Sequence, residues 1–283
     1  MGAHTVTSPD GRTASLRYVD NGTGWPVLFI HGLGGASTLD YASVAADPGL
    51  AGFRRLLVDL VGSGGSDRPD WFDYSIAGQA RCLDAFLADR GLGPVVLFGH
   101  SLGGAVALSL AALDPGRVAG VILTEANLDP GGGFWSRAIA GQTSDGFART
   151  GYAELLATAE ADHNPWAATL RLSSSRALHA EAVSLVAGAT PAWRDVLYGL
   201  ACPRCYVFGA HSLPDPDLEE LPRHGVRTLV VSDCGHNMAW ENPAGLAVAV
   251  ASGLVDVLSQ AQASRLSPSS DSASPTLKPG ARP

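Results

Sequence analysis

Short apolar runs alternate along this chain with longer stretches that carry apolar residues at helical spacing. The segment "HTVTSPDGRTASLRYVDNG" (4–22) alternates residue by residue around a Pro-Asp-Gly turn, which predicts a β-hairpin. The runs "PVLFIHG" (26–32), Leu56–Leu60, "PVVLFGH" (94–100), "VAGVILTEANL" (118–128), "CPRCYVFGA" (202–210) and "VRTLVVSDCGH" (226–236) have continuously apolar centres. Strands buried on both faces read this way. Between them, "SIAGQARCLDAFLADRGLG" (75–93), "LGGAVALSLAALDP" (102–115) and "AGLAVAVASGLVDVLSQAQ" (244–262) predict helices. Buried strands alternating with helices predict an α/β fold, a parallel sheet with helices on both faces.

From Leu128 to about Leu200 the pattern turns helical, with no strand run, as in "FWSRAIAGQTSDGFART" and "GYAELLATAEAD". An all-helical insertion between two strands of a parallel sheet predicts a cap over the carboxyl ends of the strands, where ligands bind in such sheets. The expected organisation is a core of residues 1–127 and 200–262, a helical cap of 128–199 and a tail of 263–283. The tail is rich in Ser and Pro and poor in large apolar residues, so disorder is expected there.

Composition narrows the partners. The 283 residues are 46% hydrophobic and 16% charged, with a net charge of -8 and no run of Lys or Arg. That balance disfavours general affinity for nucleic acid or anionic membranes. The chain shows no signal-peptide pattern and no apolar run long enough to span a bilayer, so the cytoplasm is the expected compartment. The four cysteines, Cys82, Cys202, Cys205 and Cys234, include one C-x-x-C. It has neither a second pair nor histidines at ligand spacing, so structural thiols and no metal are expected. Oligomeric state is left open.

The chemistry begins at Gly99-His100-Ser101-Leu102-Gly103, a G-x-S-x-G between a predicted strand and a predicted helix. This is the context of a nucleophile elbow, where small neighbours let a strained serine project above the sheet. A nucleophilic serine needs a base, and His236 follows the last predicted strand, where the order Ser, acid, His would put it. His100, next to Ser101, is expected to point elsewhere on the elbow, as a packing residue or as a support behind the catalytic groups. The Gly-rich "IHGLGGAS" (30–37) follows the first parallel strand. The backbone N–H groups of Leu33 and Leu102 are the expected oxyanion donors. The loop lacks the Lys-Ser/Thr of a phosphate-binding P-loop.

His31-Gly32, "DLVGSGGSDRP", "GHSLGG" and "DCGHNMAWENP" fall in the order seen in the α/β-hydrolase superfamily, which the chain resembles from Thr5 to Leu258. The resemblance implies a mostly parallel eight-stranded sheet with a helical cap before the seventh strand. It implies esterase, lactonase, thioesterase or amidase chemistry, since epoxide hydrolases and haloalkane dehalogenases carry Asp at the elbow. Most members place the acid after the seventh strand as Gly-x-x-Asp, a position held here by Ser212. Glu125, at the end of the sixth strand, resembles the variant found in zearalenone-type lactonases. Asp215, Asp217 and Asp129 stand as alternative acids.

The expected function is cofactor-independent hydrolysis of a small or medium apolar ester or lactone, with Ser101, His236 and Glu125 as triad. Trp135, Trp166, Trp193, Phe134 and Phe147 lie in the cap stretch as candidates to line the pocket for this small-molecule substrate. The rival readings are a thioesterase, amidase, perhydrolase or carbon–carbon hydrolase on the same scaffold, and a weakly catalytic binding protein.

Overall fold

β1 (Gly2–Thr7) and β2 (Thr13–Asn21) pair antiparallel, as the alternating pattern predicts, and β2 continues antiparallel onto β4 (Phe53–Asp59). All later pairings are parallel: β3 (Trp25–Ile30) with β4 and β5 (Val95–His100), β5 with β6 (Val118–Thr124), β6 with β7 (Arg204–Gly209), and β7 with β8 (Arg227–Val231). The single sheet runs β1-β2-β4-β3-β5-β6-β7-β8. In this computed structural model, residues 1–266 are described.

The helices that matter for the site are α1 (Ile76–Asp89), α2 (Leu102–Leu113), α3 (Phe134–Ala140), α4 (Tyr152–Ala161), α5 (Trp166–Leu170), α6 (Ser175–Ala187), α7 (Trp193–Gly199), α8 (Asp217–Arg223) and α9 (Pro243–Leu266). Continuous apolar strands bury both faces because helices cover both. Leu28, Ile30 and Leu97 join the cluster that holds α1 and α2, while Val27, Phe29 and Val96 join the one that holds α9. Successive side chains point to opposite faces, so each strand feeds two cores.

Helices α3 to α7 fill the whole connection from β6 to β7, in accord with the all-helical reading of that stretch. This insertion has a small core of its own, including Ile139, Phe147, Leu155 and Leu178. Two of the aromatic expectations are corrected here. Phe147 is fully buried in that small core. Trp193 is buried against the main core, its indole N–H donating to Ser109 Oγ at 2.9 Å. Neither lines the cavity that Ser101 opens onto, because each buries its apolar surface within packed helices. The last helix also runs on to Leu266, past the expected end at Gln262. The rest of the tail reading, from 267 onward, lies outside the described residues.

Candidate active site

The elbow forms where β5 hands over to α2. Ser101 sits at φ 52°, ψ -121°, a left-handed conformation that L-residues adopt at a cost of roughly 1–3 kcal/mol. Its N–H donates to Thr124 O at 3.0 Å, and its carbonyl accepts from Gly104 N at 3.0 Å. The flanking glycines are sterically required. A Cβ on Gly99 would lie 2.6 Å from Gly103 O, and one on Gly103 would collide with Ile30 O on β3. The crossing of strand and helix thus admits only glycine on either side of the serine.

Ser101 opens onto a cavity of about 350 Å³. His236 lines the same cavity, at the loop that follows β8. His236 Nδ1 lies 3.7 Å from Glu125 Oε2, longer than a hydrogen bond. Glu125 follows β6 directly and is itself at φ 45°. Its N–H donates to Val207 O at 3.1 Å, and its Oε1 accepts from Gly209 N at 2.8 Å. The carboxylate is therefore aimed by the end of β7. Burial pushes the Glu125 carboxyl upward, but His236, the Gly209 amide and the Ser212 hydroxyl outweigh it and hold the group below its ordinary range. Ser212, the residue at the usual acid position, supports the carboxylate across from it.

The other three carboxylates are occupied elsewhere. Arg194 on α7 binds Asp129 with Nε to Oδ1 at 3.0 Å and Asp217 with Nη1 to Oδ1 at 2.8 Å. Asp215 Oδ1 accepts from Asp217 N at 2.8 Å. Asp129 and Asp217 are thus paired with Arg194 of the insertion, and Asp215 holds the first N–H of α8.

The Gly-rich loop after β3 is held by His31. His31 Nε2 accepts from Leu60 N at 3.0 Å, so the proton sits on Nδ1, which donates to Gly32 O at 2.8 Å. Gly32 O also accepts from Gly35 N at 3.0 Å. In a trans peptide the N–H points opposite the carbonyl, so the bonds to Gly32 O hold the Leu33 N–H from one side. Gly32 lies against Ser101, since a Cβ added to it would meet Ser101 Cβ at 3.2 Å. Leu33 lines the cavity; Leu102 is fully buried and opens α2 directly after the serine.

Phe134, Trp135 and Trp166 line the cavity, as the sequence suggested, and Trp193 does not. His100 stands beside His236. Its ring lines the cavity, 4.8 Å from that of His236. Its Nδ1 faces Thr124 O at 3.0 Å and so carries the proton. Burial, with His236 nearby, pushes the imidazole down to about 3, so it stays neutral. Sequence reasoning also missed Asp40, which accepts from Trp240 Nε1 at 3.1 Å and is raised chiefly by burial. These two residues are 200 positions apart, and no local signal joins them.

Residues 26–185 match the alpha/beta hydrolase fold family, and the chain belongs to it. It is 35% identical over 121 residues to Lipase 3 of Moraxella sp. (strain TA144), a match covering 42% of this chain and 36% of that protein. Among solved structures it resembles a thermophilic esterase from Thermogutta terrifontis, with TM-score 0.73 and 24% identity over 91% of this chain and 99% of the other. It also resembles the N-acyl homoserine lactonase AidH, with TM-score 0.70 and 20% identity over 92% and 99%. At these identities the structural likeness speaks for the fold.

Proposed function

We propose that this protein is a serine hydrolase that cleaves a small or medium apolar carboxylic ester or lactone through an acyl-enzyme on Ser101. The observation that carries this reading is the approach of Glu125 Oε2 to His236 Nδ1 at 3.7 Å, at a cavity that both His236 and the strained Ser101 line. The names of its relatives, a lipase, an esterase and a lactonase, support ester-bond chemistry.

In this mechanism His236 Nε2 takes the proton of Ser101 Oγ as the oxygen attacks the substrate carbonyl carbon. The carbonyl π electrons move to oxygen, and the N–H groups of Leu33 and Leu102 hold that oxyanion. Glu125 holds the proton of His236 on Nδ1 and stabilises the imidazolium. The oxyanion collapses, the C–O bond breaks, and His236 returns its proton to the leaving alkoxide. Water deprotonated by His236 then attacks the acyl carbon and frees the acid and Ser101. For a lactone, the alkoxide and acid remain one molecule.

The insertion of residues 128–199 acts as the cap that shapes the substrate site. Phe134, Trp135 and Trp166 supply its aromatic wall, suited to an apolar acyl or alcohol group. Among the described residues, no Lys or Arg lines the cavity. The test is steady-state hydrolysis of p-nitrophenyl acetate and butyrate by the purified chain. Multiple turnovers support the reading. A single burst, or ligand binding without turnover, points to a binding protein and overturns it.

A further inference from the structure

We infer that Trp166, on the cap, is a positioning residue that clamps the oxyanion loop, so that seating of the cap completes the oxyanion hole. The inference rests on the serine-hydrolase reading above. Its observation is one bond across the cap–core boundary: Trp166 Nε1 donates to Leu33 O at 2.8 Å.

Leu33 sits between two peptide units. The one before it bears the N–H assigned above to the oxyanion, and its carbonyl, Gly32 O, is held by His31 Nδ1 and Gly35 N. The one after it bears Leu33 O, whose bond is to the indole of Trp166. With both units held, the Leu33 N–H has one orientation. Released from Trp166, the Leu33–Gly34 unit can rotate, because it leads into a glycine in a Gly-rich loop, and the Leu33 N–H is then held from the Gly32 side alone. A preorganised donor loses its advantage when it must be oriented during the reaction.

Gly34 shows how closely the indole seats. It stands at φ 68°, and a Cβ there would meet Trp166 Nε1 at 2.9 Å and Cζ2 at 3.1 Å. The indole therefore lies directly on the loop backbone. Trp166 in turn is fixed by the cap: its N–H donates to Asn164 Oδ1 at 3.0 Å, and its ring lies 5.9 Å from that of Trp135. Asn164 Oδ1 also accepts from Asn237 Nδ2 at 3.4 Å, next to the proposed base. The turn 164–166 thus touches both the oxyanion loop and the loop carrying His236. A tryptophan that only lined the pocket would need apolar contact with ligand and no bond to this carbonyl.

The two roles separate kinetically. A pocket wall contributes mainly to KM, whereas a group that aims an oxyanion donor contributes to kcat. Trp166→Phe keeps an aromatic ring and removes only the N–H donor with part of the indole. With p-nitrophenyl butyrate, kcat should fall about tenfold with KM within about twofold, because one oxyanion donor is worth roughly 10²–10³ and is here loosened rather than deleted. The rate at which a fluorophosphonate probe labels Ser101 should fall in step.

Gly34→Ala, whose Cβ would press on the indole and on Leu170 Cδ1 and would strain the backbone at φ 68°, should also lower kcat, and the double variant should be no worse than the poorer single one if both act through the one clamp. Circular dichroism establishes that each variant is folded. A raised KM with kcat within twofold of wild type in both single variants overturns the clamp while leaving the serine-hydrolase reading intact. Failure of the probe to label wild-type Ser101 overturns both.

Discussion

Glu125 reaches across β7 to meet His236: the acid follows β6, the histidine follows β8, and Oε2 lies 3.7 Å from Nδ1. Gly209, the last residue of β7, donates its N–H to the other carboxylate oxygen at 2.8 Å and so aims the group. Replacing Glu125 by Gln keeps the shape and removes the charge. By analogy with other triads kcat should fall about 10⁴-fold while the fold survives. Asp129→Asn, Asp215→Asn and Asp217→Asn should each leave kcat within a few-fold. Parallel kinetics of the four variants on one ester decide the matter. If Glu125→Gln stays within tenfold of wild type while one of the Asn variants collapses, the acid is elsewhere.

Asp129 and Asp217 should matter for stability instead. Both bind Arg194, which ties α7 to the segment after β6 and to α8. Asp217 is 21% exposed and Asp129 52%, so solvent screens the Asp129 pair far more. Asp217→Asn should therefore cost more, on the order of 1–2 kcal/mol, and Asp129→Asn about 0–1 kcal/mol. Thermal unfolding measures both. Equal effects, or a larger one at Asp129, would contradict the burial argument.

Glu181 on α6 is fully buried and accepts from Gln79 Nε2 at 2.9 Å, joining the insertion to α1. Burial pushes its carboxyl up to about 8, against an ordinary 4.5. The folded chain thus keeps a proton that the unfolded chain has released. This contribution is complete below pH 4.5 and is lost as pH rises toward 8. Glu181→Gln removes the titration and keeps an acceptor for Gln79. Its melting temperature should match wild type near pH 4.5 and exceed it near pH 8. Parallel curves for the two proteins across that range would show that Glu181 is not a buried neutral acid.

Much of this arrangement is legible in the residues. Continuous apolar runs such as "VVLF" (95–98) announce strands covered on both faces, and Gly99 and Gly103 announce a crossing too tight for side chains. Glu125 can be picked out because it comes straight off a strand, where the backbone fixes its aim. Aromatic residues resist the same treatment. Trp135 and Trp193 both sit in helical stretches, yet one lines the cavity and the other bonds Ser109 inside the core. Helical spacing tells that a residue faces inward, not whether core or cavity lies there. The Trp166–Leu33 bond spans 133 residues and exists only once the insertion folds back over the sheet.

Everything in the proposed mechanism turns on Ser101 as the nucleophile. The most direct measurement is labelling with a fluorophosphonate probe, located by mass spectrometry, alongside kcat on p-nitrophenyl butyrate for wild type and Ser101→Ala. Wild type should carry one adduct on Ser101. Ser101→Ala should fold, take no label and lose on the order of 10⁶ in kcat. A label on another residue, or more than a few per cent of wild-type activity in Ser101→Ala, would contradict the account.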